Sequence, residues 1–109
     1  MAGRLVRGEV RLYGFESPDK ERPVVVLTRD SISPYLTRIT VAPITSAIRG
    51  VASEVVLGAE DGMQQPCAVN LHNLATVEKE RLGRVVARLN SQRMSEVCAA
   101  LTFAMGCDR

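Results

Sequence analysis

Arg22 and Thr45 are the residues whose side chains could act on a phosphoryl group. Arg22 precedes Pro23 and a run of aliphatic residues, and Thr45 follows Pro43 and Ile44. A guanidinium is a forked, permanently charged donor that suits phosphoryl oxygens, and a hydroxyl can add a second hydrogen bond. By residue type alone, an arginine between a loop and a strand is more often solvated or ion-paired, and a loop threonine is more often a turn residue. The pair therefore indicates a site only if a wider pattern supports it.

Proton transfer would need a group that can accept a proton near neutral pH. His72 is the single histidine of the chain, and an imidazole has an ordinary pKa near about 6.5. Glu54 and Glu9 are the other candidates for this role. We predict that His72 alternates with Leu71 and Asn73 along a strand, where a surface or hydrogen-bonded role is the more common one. The sequence leaves the choice among these groups open.

Basic residues on predicted loops could follow a phosphate backbone, although solvated loop charges are the more common outcome. These residues are Lys20, Arg29 and Arg49, while Arg11 and Arg38 are weaker candidates. The formal net charge of +2 is too small to indicate nucleic-acid binding by itself. Aromatic residues make up 4% of the chain, with no Trp, so stacking platforms for bases are scarce.

The cysteines and histidine do not form a metal-binding pattern. Cys67, Cys98 and Cys107 contain no CxxC pair and are odd in number, and one histidine is present. No apolar stretch is long enough for a signal peptide or a membrane span. We therefore expect a reduced cytoplasmic protein without metal or cofactor, and the length of 109 residues predicts one domain over residues 1–109.

Hydrophobic periodicity predicts six strands followed by one helix. The strands are expected at residues 8–13, 23–27, 38–43, 53–57, 67–74 and 83–89, with Thr45, Ser46 and Arg49 on the loop at 44–51. The helix is expected from Gln92 onward, with Asn90 or Ser91 as its N-cap and Gly106 at its end. This order indicates an α+β fold of five to seven strands that curl into a small barrel, with a C-terminal helix.

Two faces can be assigned from the same periodicity. In the first strand we expect Val10 and Leu12 on the buried face, with Glu9, Arg11 and Tyr13 on the opposite face. The helix carries an apolar stripe that is most simply core, with a dimer contact as the alternative, formed by Met94, Val97, Cys98, Leu101 and Met105. The three cysteines are expected to be small buried hydrophobes.

Four segments in this order and spacing resemble the MazF/PemK toxins of type II toxin–antitoxin systems. They are Arg7-Gly8-Glu9-Val10, Arg22-Pro23-Val24-Val25-Val26-Leu27, Pro43-Ile44-Thr45-Ser46 and Arg81-Leu82-Gly83-Arg84. The resemblance extends from Arg7 to Gly106, and the Arg-Pro-aliphatic run is its most specific part.

The resemblance implies an SH3-like barrel, a two-fold homodimer and an endoribonuclease. The implied reaction is metal-independent cleavage of single-stranded mRNA, rRNA or tRNA through the ribose 2′-hydroxyl, which leaves a 2′,3′-cyclic phosphate and a 5′-hydroxyl. A cognate MazE-like antitoxin would inhibit it. Arg22 and Thr45 take the catalytic positions, and Ser46 and Asn73 join Lys20, Arg29 and Arg49 as RNA-binding candidates.

Two other functions fit a small barrel. A CcdB-like poison of a topoisomerase such as gyrase shares this fold, and it would use the surface of the C-terminal helix without needing Arg22 and Thr45. An SH3-like binding module would need an exposed aromatic groove, which two Tyr and two Phe can hardly supply.

Overall fold

Seven antiparallel strands and one C-terminal helix make up the fold. A computed structural model describes residues 4–14 and 21–107. Its strands are β1 (Glu9–Gly14), β2 (Glu21–Val26), β3 (Arg38–Thr45), β4 (Glu54–Leu57), β5 (Cys67–Asn70), β6 (Ala75–Glu78) and β7 (Leu82–Arg88), and its helix is α1 (Ser91–Met105). Short 3-10 turns occur at Ser33–Tyr35, Ala59–Asp61 and Lys79–Arg81.

The strands form a strongly bent sheet that resembles an open barrel. Their order is β4-β5-β3-β2-β1-β7, and β6 pairs with β3 beside this path. Within the described ranges no pairing joins β7 to β4, so the barrel does not close. The predicted α+β barrel with a C-terminal helix is confirmed in this open form.

The aliphatic run of β2 is buried on both of its faces, as predicted. Val24, Val25 and Val26 are fully buried. Val25 packs in a core cluster with the helix residue Val97, and the other two pack in a second cluster with Ile39. Such a strand lies at the centre of the fold and holds the residues at its ends in fixed positions.

The prediction that β1 has one solvated face is wrong. Glu9, Arg11 and Tyr13 are all buried, and Tyr13 packs in the core cluster that contains Val77 of β6 and Leu82 of β7. The two charges are paired, with 2.9 Å from Arg11 Nε to Glu9 Oε1, and Arg11 Nη1 also donates to the Gly83 carbonyl at 3.0 Å. A buried carboxylate can stay charged in such a pair.

The helix ends are capped as the sequence predicted. Asn90 is the N-cap, its side chain accepting from the Arg93 N–H at 2.8 Å, while Ser91 is the first helical residue. Gly106 ends the helix with φ +75°, in the left-handed region that suits glycine. None of the described helices is long and apolar enough to cross a membrane.

Part of the predicted apolar stripe of α1 is wrong. Met94 and Val97 are buried, but Cys98 is exposed and Met105 is 56% exposed. Ala100 is buried in their place. Cys107 is also exposed, so only Cys67 fits the prediction of buried cysteines.

The chain turns between residues 70 and 75, where a continuous strand was predicted. β5 ends at Asn70, whose Oδ1 accepts the His72 N–H at 3.1 Å, and β6 begins at Ala75. The expected strand position of His72 is therefore wrong, and β6 was missed. An asparagine side chain that binds the backbone two residues on can make a turn without glycine or proline.

Candidate active site

Arg22 and Thr45 lie at the neighbouring ends of β2 and β3. In the β2–β3 pair Val24 lies opposite Pro43, and two further places along each strand lead to Arg22 and Thr45. The β2–β3 pairing ends at Pro43, while β3 continues to Thr45, which pairs with Ala68 of β5. The two side chains therefore lie beyond the last paired residues of β2 and β3. Thr45 thus belongs to a strand and not to the predicted loop.

Two open cavities meet at this pair. They measure about 490 and 420 Å³ and are called the first and the second cavity below. Arg22, Ile44 and Thr45 line both of them. Among the described residues that line them there is no carboxylate, no imidazole and no aromatic ring. The surroundings of the pair therefore offer cationic groups, hydroxyls and amides.

Thr45 and Arg22 are both available as hydrogen-bond donors. The Thr45 hydroxyl oxygen accepts the N–H of Ala47 at 3.0 Å, which leaves its proton free to be donated to a ligand. The Arg22 side chain is exposed and has no ion pair or hydrogen bond with any described residue. A guanidinium and a hydroxyl directed at one place can together bind the oxygens of a phosphoryl group.

Three of the predicted RNA-binding residues lie at these cavities. Ser46 lines the first cavity, and Arg49 and Asn73 line the second. Glu54 lines neither. Its Oε1 accepts the N–H groups of Arg49 and Gly50, each at 3.0 Å, so it fixes the loop that presents Arg49. Its Oε2 is buried without a hydrogen-bond partner among the described residues.

The other residues that the sequence predicted for the site lie away from the two cavities or outside the described residues. His72 is exposed, lines neither cavity and is hydrogen-bonded through Nδ1 to the Ser53 hydroxyl. Glu9 is held in its buried pair. Arg29 follows the far end of β2 and lines neither cavity, and Lys20 lies outside the described residues. Arg38 pairs with Glu78 on the surface at 3.8 Å.

The first cavity contains residues that were not predicted as site residues. Gln64, Gln65 and Met63 come from the loop between β4 and β5, Arg84 from β7 and Cys67 from the start of β5. The pairing of β7 with β1 and the position of this loop bring them to Arg22, and neither can be read from local periodicity. Burial raises the pKa of the Cys67 thiol, and the Asp61 carboxylate adds to the rise, so this thiol stays protonated.

A salt-bridge network fixes the loop that carries the two glutamines. Arg93 of α1 donates from Nε to Asp61 Oδ1 at 2.9 Å and from Nη2 to Oδ2 at 3.1 Å. Asp61 Oδ2 also accepts the N–H of Gly58 at 3.0 Å. The hydrogen bonds from Arg93 hold the pKa of Asp61 below its usual value, against the effect of burial. The loop is thereby anchored to the first turn of the helix.

Metal ligands are not grouped in this part of the chain. Within residues 4–14 and 21–107, no three His, Cys, Asp or Glu side chains come together in a group that could hold a metal ion. The chemistry of the cavities is that of nitrogen and hydroxyl donors.

The sequence is similar to those of known toxins. Residues 6–105 match the family model described as PemK-like, MazF-like toxin of type II toxin-antitoxin system. The chain is 46% identical over 89 residues to the probable endoribonuclease MazF5 of Mycobacterium tuberculosis, which covers 81% of this chain and 82% of that one. It is 40% identical over 90 residues to endoribonuclease MazF3 of the same organism, with 83% and 87% covered.

Solved structures agree with the sequence relatives. The Mycobacterium tuberculosis toxin MazF-mt6 superposes with a TM-score of 0.81 at 36% identity, over 90% of this chain and 96% of that one. A mycobacterial endoribonuclease in complex with its cognate antitoxin superposes with a TM-score of 0.83 at 20% identity, over 94% and 95% of the two chains. The second likeness shows the shared fold.

Proposed function

The chain belongs to the PemK-like, MazF-like toxins of type II toxin–antitoxin systems, and we propose that it cuts single-stranded RNA at the Arg22–Thr45 pair without a metal. It is an endoribonuclease toxin of that family. The observation that carries the proposal is that both side chains line two adjoining cavities, and that no residue in the described ranges 4–14 and 21–107 forms an ion pair or hydrogen bond with the guanidinium.

The reaction forms one bond to phosphorus and breaks another. The ribose 2′-oxygen attacks phosphorus as it loses its proton, and the bond from phosphorus to the 5′-oxygen breaks. The 5′-oxygen takes up a proton, so the products carry a 2′,3′-cyclic phosphate and a 5′-hydroxyl. Negative charge builds up on the phosphoryl oxygens in between, and fixed donors at that place lower the barrier.

Arg22 and Thr45 supply these donors. A guanidinium is permanently charged and accepts a proton poorly at neutral pH, so the role of Arg22 is to stabilise charge. No carboxylate or imidazole lines either cavity among the described residues. We therefore assign both proton transfers to solvent, and the roles predicted for His72 and Glu54 remain to be tested by mutation.

The experiment is cleavage of a single-stranded RNA in EDTA by wild type, Arg22→Ala and Thr45→Ala. Each substitution is expected to lower kcat by at least about a hundredfold through loss of a transition-state contact. Arg38→Ala is the matched control, because Arg38 is exposed and lines neither cavity. Wild-type rates for both cavity variants, or loss of wild-type cleavage in EDTA, would show the assignment to be wrong.

Membership of this family indicates two partners, an antitoxin and a second copy of the toxin. We propose that a MazE-like antitoxin covers the cationic surface at Arg22 and Arg49, and that the toxin is a cytoplasmic homodimer. Light scattering at micromolar concentration tests the dimer directly, since a monomer mass would exclude it. A topoisomerase poison would have no use for the donors at Arg22 and Thr45. An SH3-like ligand groove would need aromatic residues, and none is found among the described residues that line the two cavities.

A further inference from the structure

The two cavities divide the surface around the catalytic pair into two sides. Arg22 and Thr45 line both, whereas the remaining polar residues belong to one side only. The first cavity has Gln64, Gln65 and Arg84, and the second has Arg49 and Asn73. If a phosphate lies at the pair, the nucleotide before it and the nucleotide after it occupy different cavities and meet different side chains.

The side chains of the first cavity are free to bind a ligand. Gln64, Gln65 and Arg84 are exposed, and none has a hydrogen bond or ion pair with another described residue. Each amide offers both donors and an acceptor. Amide side chains and arginine are the groups that read the edges of bases through paired hydrogen bonds.

The second cavity has fewer free polar side chains. Asn70 Oδ1 already accepts a hydrogen bond from the His72 N–H at 3.1 Å. Its cation, Arg49, lies on the loop that the Glu54 carboxylate fixes. A single free amide beside a cation can bind a backbone phosphate and one base atom, but it offers fewer paired contacts than two adjacent glutamines.

The loop of the two glutamines is held in place, as selective recognition requires. Asp61 joins it to Arg93 through two hydrogen bonds of 2.9 and 3.1 Å. Gly62 has φ +88°, and a Cβ on it would approach the Ala87 Cβ to 3.4 Å, so the loop lies tightly against β7. The Met63 N–H donates to the Gly58 carbonyl at 3.3 Å. Side chains on a fixed loop lose little entropy when they bind.

We propose that Gln64 and Gln65 determine the base preference on one side of the cut, by hydrogen bonding to the base in the first cavity. The inference rests on the proposed RNA cleavage. The two glutamines are specificity-determining residues that leave the phosphoryl chemistry to Arg22 and Thr45. Arg84 of β7, which lines the same cavity, binds the same nucleotide.

The test is the cleavage of an RNA pool with randomised positions on both sides of the cut, followed by sequencing of the products. Gln64→Ala and Gln65→Ala should reduce the preference at positions on one side of the cut by at least about tenfold, with the preference on the other side retained. Gln65→Glu removes the donors but keeps the shape, and it should change which base is preferred. Gln92→Ala is the matched control, because Gln92 is exposed on α1 and lines neither cavity.

Three results would overturn parts of this proposal. Unchanged preferences in all the Gln64 and Gln65 variants would show that the loop does not read bases. An equal loss of cleavage on every sequence, with circular dichroism unchanged, would place the glutamines in the chemistry instead. A wild-type protein that cuts no member of the pool would overturn the proposed ribonuclease function itself, and this inference with it.

Discussion

The imidazole of His72 lies outside the two cavities at Arg22 and Thr45, although its type suits proton transfer. It is exposed, and its Nδ1 is hydrogen-bonded to Ser53. We therefore expect His72→Ala to keep kcat for RNA within about threefold of wild type, since no transition-state contact is lost. Cleavage rates of the variant and the wild type check this. A hundredfold loss of kcat in the variant would restore the role predicted from the sequence.

The charged residues of β1 show why some side chains could not be placed from the sequence. Glu9 and Arg11 alternate with Val10 as a solvated strand face would, and yet both are buried as a pair. Alternation reports the two faces of a strand but not what covers the second face. The residues that pack with Tyr13 on that face include Val77 of β6 and Leu82 of β7, which are far along the chain. Arg22 could be proposed as a site residue because the Arg-Pro-aliphatic run is local.

At the scale of elements, α1 is joined to the turn at residues 58–62 by the pair Asp61–Arg93. We predict that Asp61→Asn lowers the free energy of unfolding at pH 7 by about 1–3 kcal/mol, because hydrogen bonds to a charged group are lost. The pKa of Asp61 is lowered in the folded state. The folded state therefore binds this proton less readily than the unfolded state, and the stabilisation is complete above the ordinary pKa of about 3.8.

This stabilisation should disappear as the pH falls through the lowered folded pKa. Urea unfolding followed by circular dichroism at pH 7 and at pH 3 or below checks the sign. The difference in the free energy of unfolding between wild type and Asp61→Asn should become smaller at low pH. A difference that becomes larger would contradict the stabilising role of the charged Asp61 carboxylate. Gln92→Ala, in the same helical turn but without a contact to Asp61, serves as the control for general effects on α1.

Strand ends and strand exchanges decide how far the elements could be predicted. The caps of α1 and the buried run of β2 were found because their signals are local: Asn90, Gly106 and three consecutive valines. The end of β3 was placed too early, because residues 44–51 were interpreted as a polar loop that contains glycine. The pairing of β3 passes from β6, up to Val41, to β5, at Ile44 and Thr45, and that exchange depends on tertiary pairing.

At the scale of the whole molecule, the free cations around the two cavities suit an acidic inhibitor. A disordered peptide rich in Asp and Glu could place carboxylates where RNA phosphates bind, and fold as it does so. Its affinity should fall as salt rises, and it should compete with uncleavable RNA. Arg49→Glu is expected to weaken both ligands together, with Arg38→Glu as the control at a position outside both cavities.

Competition titrations by fluorescence anisotropy measure this directly. If the peptide binds with unchanged affinity while uncleavable RNA occupies the toxin, the peptide and the RNA bind to separate surfaces. The antitoxin would then have to act by displacing the loops that carry Arg49 and Gln65.

Replacement of one 2′-hydroxyl is the most direct test of RNA cleavage at the Arg22–Thr45 pair. The substrate is a single-stranded RNA with one cut site, compared with the same oligonucleotide carrying hydrogen in place of the 2′-hydroxyl at the nucleotide before the cut. In EDTA, wild type should cut the first into fragments with a 2′,3′-cyclic phosphate and a 5′-hydroxyl, and should leave the second intact. Cleavage of the deoxy substrate at a comparable rate, or cleavage of the first only when a divalent metal is added, would contradict this mechanism.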